Sequence, residues 1–136
     1  MGIKDKTMTL KWDEKYEVGH DRIDTEHRIF LDLIIDFQQA IEQNLPKAKQ
    51  LRILKEVEKY AEFHFVSEEN IMLDISYPDY EHHAKLHAYL LSEVQNEYFK
   101  FMSDQTEGKD IFEFLFNWFA IHTSNEDKKL VEFIKQ

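Results

Sequence analysis

The stretch HFVSEENIMLDISYPDYEHHAKLH, residues 64–87, decides how the chain folds. It holds two pairs of potential metal-binding side chains at four-residue spacing, namely His64 with Glu68 and His83 with His87. Residues four apart in an α-helix differ by about 40° in direction and about 6 Å along the axis, so each pair lies on one face. Pro78 lies between the pairs and disfavours helix at the residue before it, which predicts two consecutive helices.

Helical spacing of apolar residues continues on both sides of this stretch. It predicts an irregular N-terminal arm and four helices, at about residues 1–18, 21–43, 47–73, 79–102 and 110–133. Asp21 or Asp24 is placed to cap the first helix, and Gly108 falls in the polar loop before the last helix. Four helices with short connections pack antiparallel. The expected fold class is therefore all-α, an up-down-up-down four-helix bundle in a single domain over residues 1–136.

Composition supports long helices and limits the partners. Only 3 glycines and 2 prolines occur in 136 residues, too few for a β-rich fold with many turns. The formal net charge of −10 disfavours nucleic acid and anionic membrane surfaces. The sequence has no cysteine, which excludes thiolate-bound zinc and cysteine-bound iron–sulfur clusters. Without a signal-peptide core or a membrane-spanning apolar run, we expect a cytoplasmic protein with no nucleic-acid or membrane partner.

Each predicted helix carries part of one set of potential metal ligands. The set has five histidines and two carboxylates: His27, His64, Glu68, His83, His87, His122 and Asp127. So many donors suit two ions better than one. Taken singly, each pair is more often a surface hydrogen bond or a buried structural histidine. Taken together, they would bury unpaired polar groups on all four helices at about 1–3 kcal/mol each, a cost that metal binding would offset.

His122 and Asp127 do not share a face of a regular helix. Five residues subtend about 140° around the axis, so the two side chains project differently. Either Asp127 reaches sideways or the helix distorts locally. A carboxylate that bridges two ions could accept such an approach.

The donor set favours a transition metal. Imidazole binds iron, zinc, copper and nickel, whereas two carboxylates are too few for an oxygen-only site. Ferritin-like di-iron oxidases use more carboxylates and the spacing Glu-x-x-His, but here the order is His-x-x-x-Glu. Because fewer anionic ligands stabilise high-valent iron less well, we interpret the site as better suited to binding dioxygen than to cleaving it. A structural zinc bundle is an alternative.

The combined motifs resemble those of the hemerythrin family. The central signature is His64-Phe65-x-x-Glu68-Glu69-x-x-Met72, then Tyr77-Pro78, then His83-x-x-x-His87. The outer motifs are Trp12 in the arm, Ile23-Asp24-x-x-His27, and Trp118-x-x-x-His122 followed by Asp127. The resemblance runs from about Trp12 to Leu130, and the chain is similar to the single-domain bacterial members of the family.

The resemblance implies two iron ions, Fe2+ or Fe3+, with a bridging oxo or hydroxo group. One iron would be held by three imidazoles and the other by two, with both carboxylates bridging: His83, His87 and His122; His27 and His64; Glu68 and Asp127. Dioxygen would bind reversibly at the one open position as a hydroperoxide. This implies storage, delivery or buffering of dioxygen, with no catalytic residue. Nitric oxide and small anions are further candidate ligands, and a monomer or weak oligomer is expected.

The resemblance also places five side chains around the dioxygen pocket: Phe30, Phe65, Trp118, Phe119 and Thr123. Aromatic residues at helical spacing are more often core residues, and both roles are compatible here. Thr123 departs from the family, which usually has a bulky aliphatic residue there. Its hydroxyl could admit water or a proton and so speed oxidation to an unreactive state. His20 and His82 are outside the pattern and are expected at the surface.

Two other classes of function use similar irons. An oxidase, peroxidase or nitric oxide reductase would turn over its substrate with a reductant. A sensor of oxygen or nitric oxide would need a separate partner, because no signalling domain is recognised in this sequence. Our expectation is a protein that is not an enzyme, with secondary peroxidase or nitric oxide reductase activity left open.

Overall fold

The computed structural model describes residues 11–136, so the first ten residues of the predicted arm lie outside the described part. After a 3₁₀ turn at Glu14–Tyr16, the chain forms four main helices. These are α1 (Asp21–Glu42), α2 (Lys47–Asp74), α3 (Tyr80–Met102) and α4 (Gly108–His122). A π-helical segment at Thr123–Asp127 and a short helix α5 (Lys128–Ile134) continue α4. Residues 11–136 contain no strand, and the predicted all-α class is confirmed.

The four main helices form a closed ring. Each packs against its neighbour in sequence, and α4 also packs against α1. The short connections make consecutive helices antiparallel, which gives the predicted four-helix bundle. Within residues 11–136, no helix is both long enough and apolar enough to cross a membrane.

The start of α1 differs in detail from the prediction. His20, which is half-buried, caps the helix: its Nδ1 accepts a hydrogen bond from the backbone N–H of Ile23 at 3.3 Å. Asp24 instead accepts hydrogen bonds from the backbone N–H groups of Val18 and Gly19, at 2.8 and 3.1 Å. An aspartate one turn inside the helix therefore fixes the incoming chain, and the cap is an imidazole.

The three turns between the main helices share one design. Asn44, Ser76 and Asp104 each adopt a positive φ, between 52° and 58°. In each turn the next residue donates its backbone N–H to a carbonyl five residues back, as from Tyr77 to Met72 at 2.9 Å. This pattern satisfies the last carbonyls of a helix and stops it sharply.

The sequence predicted that Gly108 lies in the loop before α4, but in the structure Gly108 is the first residue of that helix. A Cβ at Gly108 would collide with the side chain of Ile41 near the end of α1. The glycine therefore serves close packing of two helices at this end of the bundle.

A polar layer divides the hydrophobic core in two. The larger cluster fills most of the bundle and includes Phe30 of α1, Phe65 of α2 and Phe119 of α4. The smaller cluster closes one end and consists of Ile23, Met72, Tyr77, Leu130 and Val131. On α1, α2 and the last helix, the predicted metal-binding residues lie between a member of one cluster and a member of the other. The candidate site is thus enclosed by apolar packing on both sides.

Candidate metal centre

The seven predicted side chains meet in this polar layer. All are buried, with exposed fractions of 5% for His122 and at most 2% for the others. They fall into two groups that could each hold one ion: Glu68, His83, His87, His122 and Asp127; and His27, His64, Glu68 and Asp127. Glu68 and Asp127 belong to both groups.

In the three-histidine group, the imidazole Nε2 atoms surround one oxygen of each carboxylate. Glu68 Oε1 lies 2.8 Å from His83 Nε2 and 3.1 Å from His87 Nε2. Asp127 Oδ1 lies 3.2 Å from His83 Nε2 and 3.1 Å from His122 Nε2. All of these atoms therefore face the same small space.

The two-histidine group uses the other carboxylate oxygens. His27 Nε2 lies 3.1 Å from His64 Nε2 and 3.0 Å from Asp127 Oδ2. Glu68 Oε2 is 3.7 Å from His64 Nε2. Each carboxylate thus presents one oxygen to each group, the arrangement expected of a ligand that bridges two ions.

These distances fit a metal centre. Two donor atoms at about 2.1 Å from one ion and at right angles to each other lie about 3.0 Å apart, close to most spacings in the site. Within residues 11–136, no hydrogen bond of acceptable geometry reaches the two oxygens of Glu68, the two of Asp127 or the Nε2 atoms of His83, His87 and His122, and all seven atoms are buried. Unpaired buried polar atoms cost about 1–3 kcal/mol each, and metal ions would satisfy all seven of these.

The charges of the site reinforce one another. Burial lowers the pKa of His83 and of His122, but the adjacent Asp127 and Glu68 outweigh it and raise the two pKa values to about 9 and about 10. Burial raises the pKa of both carboxyls, yet the surrounding histidines hold them well below their usual range. The carboxylates are therefore ionised and ready to bind cations, and protons would compete with metal for the imidazoles.

A π-helical segment places Asp127 in the site. The helix leaves regular α-geometry immediately after His122 and regains it at Lys128. Hydrogen bonds from i to i+5 widen the turn, so residues five apart come close to one face. Of the two possibilities left by the sequence, local distortion of the helix is the one found. The same segment buries Thr123.

Two further carboxylates, outside the set of seven residues, contact the Nδ1 atoms of two of its histidines. The buried Glu26 pairs with His64 Nδ1 at 2.7 Å and accepts hydrogen bonds from Ser67 Oγ at 2.8 Å and Arg22 Nε at 3.1 Å. These hydrogen bonds outweigh burial and lower the pKa of Glu26. The half-buried Glu69 pairs with His87 Nδ1 at 2.8 Å. Such contacts fix the orientation of the imidazole and increase its basicity toward a metal.

Sequence reasoning missed Glu26. It neighbours His27 in the chain but lies away from the apolar periodicity of α1, so its burial gave no signal in that pattern. The one available hint was Arg22 four residues earlier, a spacing that allows an ion pair on a helix. That pair forms at 3.1 Å.

Three aromatic rings of the predicted pocket lie against imidazoles, and the fourth, that of Phe30, packs behind them. Phe65 stacks on His87 with ring centroids 4.2 Å apart, and Trp118 stacks on His122 at 5.0 Å. Phe119 lies edge-on to His27 at 5.7 Å. Phe30 packs against both Trp118 and Phe119, at 5.8 and 5.9 Å. The aromatic layer thus borders both histidine groups and is also part of the hydrophobic core.

The other two histidines lie outside the layer. His82 is exposed as expected, with its Nε2 atom 3.3 Å from Glu126 Oε1. His20 was expected at the surface but is half-buried, and it caps α1.

A helical bundle that turns five imidazoles and two shared carboxylates inward defines a class of histidine-rich, cation-binding bundle proteins. The family model described as the hemerythrin HHE cation binding domain matches residues 18–134, and the chain belongs to the hemerythrin family.

Curated relatives support this membership. A protein named bacteriohemerythrin from Clostridium acetobutylicum is 25% identical over 126 residues, covering 89% of this chain and 98% of that protein. The bacteriohemerythrin of Pseudomonas aeruginosa strain PAO1 is 25% identical, covering 93% of this chain and 82% of that protein. The bacteriohemerythrin of Campylobacter jejuni strain 81-176 is 23% identical over 133 residues, covering 93% of this chain and 97% of that protein. The similarity thus extends over almost the whole length of the chain.

Proposed function

We propose that this chain is one hemerythrin-like domain that holds two iron ions and binds dioxygen reversibly. Three imidazoles would bind one ion and two the other, with both carboxylates and a solvent-derived oxo or hydroxo group as bridges: His83, His87 and His122; His27 and His64; Glu68 and Asp127. The donor distances and the division of each carboxylate between the two groups support this assignment.

The inequality of the two groups carries the proposal. Three imidazoles and two carboxylate oxygens give five protein donors on one side, whereas two imidazoles and two carboxylate oxygens give four on the other. With one shared solvent oxygen, a pair of six-coordinate ions would lack one ligand on the side of His27 and His64 only. The pair of irons would supply the two electrons that dioxygen takes up on binding and returns on release, one electron from each ion.

The surrounding residues would keep this reaction reversible by excluding water. Phe119 contacts His27, and Phe30 packs behind it, so the side of the bundle next to the two-histidine group is apolar. An apolar pocket offers few protons to the bound ligand. Glu26 holds the His64 ring and is itself engaged by three hydrogen bonds, so it is not free to supply a proton.

An optical titration with metal analysis tests this function. Protein loaded with Fe(II) without oxygen should be nearly colourless, contain two irons per chain, gain a charge-transfer band in air and lose it under vacuum. The metal-free chain is the control and should gain no band. A band that decays at once and returns only with reductant would contradict reversible binding and favour a redox enzyme or sensor, with the buried Thr123 hydroxyl the first group to examine. A chain that retains only zinc would contradict the iron assignment.

A further inference from the structure

A second group of metal-binding side chains lies outside the buried centre. Asp79, His82 and Glu126 each offer a donor atom within 4.8 Å of the others. His82 Nε2 and Glu126 Oε1 are 3.3 Å apart, although they come from α3 and from the π-helical segment. One imidazole with two carboxylates suits a divalent transition-metal ion. We call these three residues the exposed cluster.

The side chains of the exposed cluster have donor capacity left. Asp79 occupies the cap position of α3, but its carboxylate makes no capping hydrogen bond. Among residues 11–136, Glu126 pairs with Lys129 Nζ, at 3.4 Å, and with no other basic side chain apart from His82. Lys129 is 62% exposed, so a bound cation could displace it into solvent.

The exposed cluster is tied to the buried centre through the chain. His82 precedes the buried His83, and Glu126 precedes the buried Asp127. The backbone carbonyl of Asp79 accepts a hydrogen bond from the N–H of His83 at 3.1 Å. The start of α3 and the π-helical segment therefore each present one donor toward the surface and the next donor toward the buried centre.

One pocket is lined by residues of both sets. Its volume is about 350 Å³, and its lining includes His82 and Glu126 of the exposed cluster together with His122 of the buried centre. Apolar side chains such as Leu86 and Trp118 form much of the remaining wall. His122 is the most exposed of the seven buried residues, so this pocket is where solvent comes nearest to them.

We infer that the exposed cluster binds a divalent transition-metal ion and that this ion passes through the pocket beside His122 to fill the buried centre. Binding at the exposed cluster stands by itself, whereas the passage rests on the proposed function. The cluster would capture the hydrated ion at the surface, exchange some of its water for carboxylate and imidazole, and release it inward to stronger donors.

Titration of the metal-free full chain with Co(II), followed by calorimetry and stopped-flow absorbance, tests both parts. We expect two tightly bound equivalents and one weaker equivalent. His82→Gln should abolish the weaker equivalent, leave the two tight ones, and slow their filling by at least about tenfold. Glu81→Gln removes an exposed carboxylate from the same turn of α3 but outside the cluster, and should change neither quantity.

Lys129→Gln should change the affinity of the exposed cluster in the opposite direction. Removing this competing positive charge should tighten the weaker equivalent by about threefold, because exposed ion pairs are individually weak. Unchanged affinity in Lys129→Gln, or a weaker equivalent that survives His82→Gln, would overturn the exposed site. Wild-type filling rates in His82→Gln would overturn the passage. A chain with only the weaker equivalent would instead refute the buried centre and leave the exposed site standing.

Discussion

The two halves of the buried centre are built by different kinds of helix. In α2 and α3 the donors are four residues apart, His64 with Glu68 and His83 with His87, and the helices are regular. In the last helix, His122 and Asp127 are five apart, and the backbone forms a π-helical segment to bring them together. A regular helix supplies its donors without strain, whereas the π-helical segment is a rare geometry that needs compensation. We expect metal binding to provide that compensation.

Metal removal should have the largest effect on stability, and it should affect the π-helical segment more than the regular helices α2 and α3. Tight binding to the folded state alone stabilises a protein by more than about 4 kcal/mol when metal is abundant, so the metal-free chain should unfold at a clearly lower temperature. Calorimetry measures that shift, and amide hydrogen exchange locates it. Protection should fall most at residues 123–127 and less at 64–87. Equal loss in both regions would remove the distinction between them.

Deletion of Asn125 should convert the last helix to the regular spacing. His122 and Asp127 would then be four apart, and the π-helical segment would no longer be required. We expect metal affinity to fall by about 100-fold, because the donors were arranged for the wider turn. The metal-free chain should become more stable. Competition with a chelator and thermal unfolding give the two quantities.

The matched control for this deletion is Asn125→Ala, which alters the same exposed residue but keeps the five-residue spacing. It should retain wild-type affinity. If the deletion variant also retains it, the π-helical segment is unnecessary for the site.

Substitutions of Glu26 and Glu69 test the contacts that orient His64 and His87, the histidines that these two carboxylates contact on the regular helices α2 and α3. Glu26→Gln should weaken metal binding by about tenfold, since the ring of His64 would lose a buried charged partner. Glu69→Gln should have a smaller effect, because the Glu69 side chain is 26% exposed and water can replace its contact with His87. Chelator competition on both variants gives the order. An effect of Glu69→Gln that exceeds that of Glu26→Gln would contradict this reasoning from burial.

Substitutions of Thr123, the first residue of the π-helical segment, should give the smallest of these effects. Thr123→Ile, and the nearly isosteric Thr123→Val, should both slow oxidation of the oxygen-bound protein several-fold, because each removes the buried hydroxyl. The decay of the optical band in air measures the rate. Since Val adds almost no volume, it separates loss of the hydroxyl from overpacking. Rates equal to wild type in both variants would show that the Thr123 hydroxyl does not promote oxidation.

Most of the fold and the position of the site could be predicted because both depend on helical periodicity. Apolar spacing and few turn residues indicated four helices, and four-residue spacing placed donor pairs on common faces. Helices of similar length in a bundle then bring those faces to one depth. The seven side chains do meet there.

What could not be predicted depends on contacts between distant parts of the chain. Burial of Glu26 arises from its contacts with His64 and Ser67 of α2, which α1 alone does not reveal. The place of Gly108 in α4 depends on how closely Ile41 approaches. The π-helical segment was one of two options, because spacing shows that a regular helix fails but not how the chain responds.

The smaller apolar cluster has a consequence for proteolysis. Ile23, Met72, Leu130 and their neighbours come from the start of α1, the end of α2 and the C-terminal helix, and the polar layer separates them from the larger core. Without metal, that layer holds the small cluster to the bundle only weakly, so the cluster should open as a unit by local unfolding. A protease added at low concentration should then cut the chain near residues 74–80 and 128–134, and leave the rest of the bundle folded.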